Sequence, residues 1–147
     1  MKTFIAIALL SGIAMHAQAP TTLDSLRDRK RVLLVFAGSN NPGVEHQWAT
    51  LVDQRDEAAE RDLVTVLLTR SLIKKHDGNS PPSATLSHAD EQAARVRFHI
   101  TANQFTAILL GKDGGEKLRS NQPIPWQTLQ STIDAMPMRQ SEASRSR

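Results

Sequence analysis

Between an apolar strand and the helix that follows it, the chain reads Gly38-Ser39-Asn40-Asn41-Pro42-Gly43, where its residue types come nearest to a reactive site. A helix N-terminus presents free amides and a partial positive charge, so Ser39, Asn40 and Asn41 could line a site for a small anion. The same residue types are what any strand-to-helix turn recruits as caps and turn formers, and the sequence leaves both readings standing. Ser39 as a nucleophile would need a base, and His46 is the nearest along the chain. No Gly-x-Ser-x-Gly elbow surrounds it, and no orienting acid can be picked out.

What the chain lacks is more decisive. None of its 147 residues is cysteine. Thiol-disulfide exchange and thiol peroxidation both run through a thiolate, and a methionine thioether does not ionise, so both chemistries are excluded. There is no disulfide framework either, and stability must come from packing. His46, His76, His88 and His99 never fall at the His-x3-His or Glu-x2-His spacing that puts two ligands on one helical face. They read as solvated surface histidines, and no metal or other cofactor is expected.

A second polar group lies near the C-terminal third, where Lys112, Lys117 and Arg119 cluster around a hairpin. Lys117 and Arg119 share one face of their strand and could form a small basic docking patch. Charges on an edge strand also block edge-to-edge aggregation, and Glu116 interrupts the cluster. The formal net charge of +3 and the 4% aromatic content give no support for a nucleic-acid partner. The expected partner is an unidentified protein or small ligand.

The elements that position these residues follow from hydrophobic period. Arg31 to Ala37 and Leu63 to Thr69 are continuous β-branched and apolar runs, the pattern of strands covered on both faces. Between them Val44, Trp48, Leu51, Val52 and Ala59 recur at helical spacing, predicting a helix from about Gly43 to Arg61 and a parallel βαβ crossover. Leu23 and Leu26 suit one short helical turn. Arg70 to Thr85, with Ser80-Pro81-Pro82-Ser83, reads as a mobile surface loop. Ser87 to Asp90 has capping-box spacing, and Ala89, Ala93, Val96 and Ile100 then define the buried face of a second helix ending near His99. Asp113-Gly114 between two short strands signals a hairpin, and Trp126, Leu129, Ile133 and Met136 form the stripe of a last helix that Pro137 stops. Arg139 to Arg147 reads as a disordered tail.

The order strand, helix, strand, helix, hairpin, helix resembles the thioredoxin fold. Arg31 to Ala37, Glu60 to Val64, Leu110 to Arg119 and Ile133 to Arg139 resemble, more closely, a thioredoxin-like domain of unknown function found in secreted bacterial proteins. A related domain occurs in eukaryotic sushi-repeat-containing extracellular proteins. The resemblance implies an α/β three-layer sandwich, βαβαββα, with a four-stranded mixed sheet in the order 2-1-3-4. It implies no activity. In that fold Asn40-Asn41-Pro42-Gly43 would occupy the place of a Cys-x-x-Cys pair. The cis-proline that active thioredoxins carry just before strand three has no counterpart in Asn103-Gln104-Phe105-Thr106.

Residues 1–19 read as a secretory signal peptide: Lys2, an apolar run from Phe4 to Met15, and Ala17-Gln18-Ala19 as a small-x-small site. Cleavage is expected between Ala19 and Pro20, although proline after the cut hinders signal peptidase and cleavage after Ala17 is the alternative. The run is shorter than the roughly 20 residues that span a bilayer, so no stable membrane anchor is expected. The chain divides into this leader, one domain over 20–138 and the tail over 139–147, with a periplasmic or secreted destination. Two functions fit: a non-catalytic binding or interaction module, or a cysteine-independent enzyme acting on a small anion with Ser39 and His46.

Overall fold

The computed structural model describes residues 21–69, 80–101 and 103–145. The leader, its cleavage site and residues 70–79 of the expected loop lie outside them. Strand β1 (Arg31–Phe36) is the sheet's centre and is buried along its whole length. Because successive side chains point to opposite faces, one strand serves two cores. Leu33, Val35 and Ala37 pack on one side with α2 (Pro42–Asp53), α3 (Arg55–Glu60) and α5 (Trp126–Asp134). Val32, Leu34 and Phe36 pack on the other with α1 (Leu23–Leu26) and α4 (His88–Arg97). Both tryptophans, Trp48 and Trp126, are buried.

β1 runs parallel to β2 (Leu63–Leu68), with Arg31 opposite Leu63, and antiparallel to β4 (Thr106–Leu110), with Val32 opposite Leu110. β5 (Glu116–Ser120) returns along β4 through the Asp-Gly turn, where Gly114 takes φ +76°. A residue with a side chain would be strained there. The expected order 2-1-3-4 holds, with one correction. A fifth strand, β3 (Ser83–Ala84), adds parallel to β2 at the edge, giving β3-β2-β1-β4-β5. Two residues after Pro81-Pro82 are too few to show a period, and the pairing is supported by the Thr65 amide donating to the Pro82 carbonyl at 2.8 Å.

Three further expectations are corrected. The long first helix is broken at Gln54, whose amide turns back to Leu51 at 3.3 Å, so α3 sets off separately. The buried face of α4 is Ala94 with Phe98 just beyond, while Ala89 and Ala93 are exposed and Val96 is 77% exposed. Phe98 buries more area than any alanine and sets the helix's rotation. Residues 139–145 of the tail expected to be disordered lie in helix α6 (Pro137–Arg145), and 146 and 147 fall outside the described residues. Pro137 ends α5 and opens α6, where its missing N–H would be unpaired anyway.

Candidate functional site

Where β1 ends, a groove of about 730 Å3 opens between the β1–α2 turn and α4. Gly38 and Ser39 form one wall, and His88, Gln92 and Val96 form the other. Asn103, in the loop before β4, closes the end. Gly38 lets the two segments approach closely, since a Cβ would stand 3.1 Å from the Asn103 Cα. The floor is fixed by Arg95, whose Nη2 donates to the Leu68 carbonyl at 2.9 Å and whose Nε donates to Glu91 at 3.1 Å, with the guanidinium 5.5 Å from the Phe36 ring centre. That arrangement neutralises the groove's one arginine and joins α4 to the end of β2.

The local backbone explains why these residue types sit here. Asn40, His99 and Asn103, all on segments that flank the groove, adopt left-handed φ of 58°, 53° and 71°. Asparagine and histidine tolerate this region better than most residues. His99 ends α4 in a Schellman motif: the His99 amide donates to Val96 at 3.2 Å and the Ile100 amide to Arg95 at 2.9 Å. Asn41 is the N-cap of α2, its Oδ1 accepting from the Gly43 amide at 2.9 Å. Of the candidates at this turn, Ser39 lines the groove, whereas Asn40 and Asn41 shape the turn beside it. His46 is exposed on α2 and forms no hydrogen bond with Ser39. Among the described residues no three His, Asp or Glu side chains gather as metal ligands.

The hairpin cations are each held in ion pairs and do not present one free basic patch. Lys117 pairs with Asp113 at 2.7 Å and Arg119 with Glu116 at 2.7 Å. Lys112 is only 9% exposed and belongs to a buried network at the opposite end of β1. Its Nζ donates to Asp62 at 2.9 Å and to Glu142 at 2.6 Å. Asp62 also accepts from Lys30 at 2.9 Å, and Glu142 from Arg31 at 3.2 Å. Alongside, Arg61 grips Asp134 through two bonds of 3.0 Å and lies 5.9 Å from the Trp126 ring centre. Burial works to raise the Asp62 and Glu142 carboxyls, but the hydrogen bonds from their cations outweigh it and hold both below the ordinary range. Burial likewise works to lower Lys112, and its two carboxylates push it above the usual lysine value. Nothing local marks this network, whose bonded pairs lie 30 to 111 positions apart.

A mixed sheet with helices on both faces, and no cysteine at the turn after the central strand, defines a thioredoxin-like protein without the redox thiols. Solved structures agree on the fold. The reduced 2-Cys peroxiredoxin of Plasmodium vivax superposes with a TM-score of 0.58 at 14% identity, covering 81% of this chain and 84% of that one. The exposed lipoprotein thioredoxin Etrx1 of Streptococcus pneumoniae gives 0.53 at 14% identity, over 78% and 90%. Thioredoxin peroxidase I of Plasmodium yoelii gives 0.57 at 14% identity, over 81% and 79%. No curated protein sequence matches the chain. The chain belongs to the family described as Domain of unknown function (DUF4174), which matches residues 22–142.

Proposed function

We propose that this protein is an exported, non-catalytic binding module, a thioredoxin-like scaffold whose former redox end holds a protein segment or small ligand. The observation that carries the reading is the groove beside Ser39, with Val96 exposed on its wall and polar side chains around it. An exposed aliphatic residue in a polar concavity is how binding sites combine apolar contact with orienting groups. Export, and the relation to extracellular sushi-repeat proteins, rest on the sequence: the leader over 1–19 and the four resembling segments. The alternative, an enzyme acting on a small anion, has less support because the Ser39 and His46 pair it names share no hydrogen bond.

Thermal melting of the purified protein against a library of metabolites and small anions tests the binding reading, since a ligand preferring the native state raises the melting temperature. The expected result is a compound that shifts the wild type and leaves Val96→Asp and Ser39→Asp unshifted, with both variants as stable as wild type when unliganded. Shifts that persist in both variants, or a library without a hit together with a photo-crosslinker at position 92 whose products are unchanged by Val96→Asp, overturn it. Export is tested separately, by fusing residues 1–25 to a phosphatase active only outside the cytoplasm. An inactive fusion rejects that part.

A further inference from the structure

At the end of β1 away from the groove lies a second cavity, of about 410 Å3, between the β4–β5 turn and the α5–α6 junction. Its lining divides by chemistry. Arg31, Lys112 and Lys117 contribute cations, and Met136, Pro137 and Met138 an apolar wall. Arg31 is fully buried. Its Nη1 donates to the Arg61 carbonyl at 2.9 Å and its Nη2 to Glu142, but its Nε has no partner, alone among the buried side-chain polar atoms of the described residues. Buried donors in native proteins are nearly always paired, and an unpaired one on a charged group is the more costly.

The charges point the same way. Arg31 and Lys112 stand on the cavity lining, whereas Asp62 and Glu142, the carboxylates that pair with them, do not. Asp113, also on the lining, is neutralised by Lys117. The apolar side is open: Met138 is 44% exposed, one of two large apolar side chains so exposed among the described residues. Methionine adapts its shape to an irregular apolar guest.

We infer that this cavity binds a small carboxylate carrying an apolar chain, its carboxylate drawn to the Arg31 and Lys112 side and its chain lying against Met136 and Met138. A charge-assisted bond to a planar guanidinium favours a carboxylate over a hydroxyl of equal length, and the Arg31 and Lys112 cations on the lining disfavour an amine. This site is separate from the groove of the proposed function, and either can fail without the other.

The test titrates octanoate, octanol and octylammonium into the full chain labelled at its methionine methyls. Octanoate is expected to shift the Met136 and Met138 methyl signals saturably, with octanol much weaker and octylammonium without effect. Met138→Glu, a change at a half-exposed position that leaves the melting temperature near wild type, should weaken octanoate by about tenfold through like-charge repulsion. The inference is overturned if octanol or octylammonium binds as well as octanoate, if octanoate produces no saturable shift at those two methyls, or if Met138→Glu binds it as tightly as wild type.

Discussion

Glu142 and Arg31 stand 111 positions apart in sequence and meet at 3.2 Å, joining the last helix to the first residue of the central strand. Helix α6 buries none of its own residues, so hydrophobic burial does not hold it in place. Polar ties do: Glu142 to Arg31 and Lys112, and Arg139 to Glu60 at 2.8 Å and to Asp134 at 3.5 Å. The dependence runs both ways. Arg31 and Lys112 are charges taken out of water, which is costly unless carboxylates face them, and Glu142 is the carboxylate they share.

Glu142→Ala should therefore destabilise the whole domain and not only its last helix. Removing a carboxylate from two buried cations is expected to cost about 2 kcal/mol, less than for an isolated buried pair because Lys112 keeps Asp62. Urea unfolding should show a lower midpoint with a nearly unchanged slope. Hydrogen exchange should show amides 139–145 losing most of their protection, with β1 and β4 losing only what the lower global stability removes. A midpoint equal to wild type would mean that α6 contributes nothing to the network.

Acid should produce the same loosening without mutation. Asp62, Asp134 and Glu142 all titrate below their ordinary values in the folded chain. A carboxyl depressed by folding stabilises the native state fully above its unfolded value and loses that contribution as pH falls through the folded one. Stability should thus be level from neutral pH down to about 4, the ordinary carboxylate range, and fall below it. Lys112, raised by folding, contributes until pH climbs past the ordinary lysine value of about 10.4. Equilibrium unfolding between pH 2 and 7 checks the acid limb. In Glu142→Gln the fall should be shallower, because one of the linked protons is gone.

The sheet was legible because β1, β2 and β4 are apolar on both faces and helices of period 3.6 separate them. Arg31 was read only as the edge of an apolar run, since nothing local tells a strand's first residue from a charge enclosed by a helix 111 positions away. Lys112 looked like a surface cation for the same reason: its burial depends on Asp62 and Glu142, both remote. The face of α4 was misread because Val96 carries more hydrophobicity than Ala94, and the sequence does not show that Phe98 fixes the rotation. The groove is therefore not legible from the sequence, although Ser39 and the turn that forms one of its walls are.

Gln47 offers a sharper test of packing. Its side chain is fully buried, with Nε2 donating to the Ile124 carbonyl at 3.1 Å and Oε1 accepting from the Ile124 amide at 2.7 Å. One side-chain amide thus satisfies both backbone groups of a residue that enters the first core from a loop. Gln47→Ala would leave both groups buried and unpaired and open a cavity, a loss of about 3 kcal/mol. Gln47→Glu keeps the shape, but an ionised carboxylate cannot donate to a carbonyl. It too should destabilise, and less so at acid pH, where the protonated carboxyl regains a donor. Thermal melts of both variants at pH 5 and 8 separate the two effects: the alanine variant's deficit should be the same at both, the glutamate variant's smaller at pH 5.

The turn beside Ser39 can be probed through Gly43. Replacing a helical glycine with alanine ordinarily stabilises by about 0.5 to 1 kcal/mol, because the unfolded chain loses freedom. Here a Cβ would stand 2.9 Å from Cδ2 of Phe105 and 3.0 Å from the Asn41 Oδ1 that caps α2. Phe105 is buried against the first core and cannot swing into solvent, and moving Asn41 weakens the cap. The steric term should win, making Gly43→Ala less stable than wild type by about 1 kcal/mol, similar to removing the cap with Asn41→Ala. Because both substitutions would disturb the same hydrogen bond, their effects should fall short of additive in the double variant, which urea unfolding of all four proteins measures directly. Full additivity, or a stabilised Gly43→Ala, would mean that the Phe105 ring yields freely and that the cap and the glycine act independently.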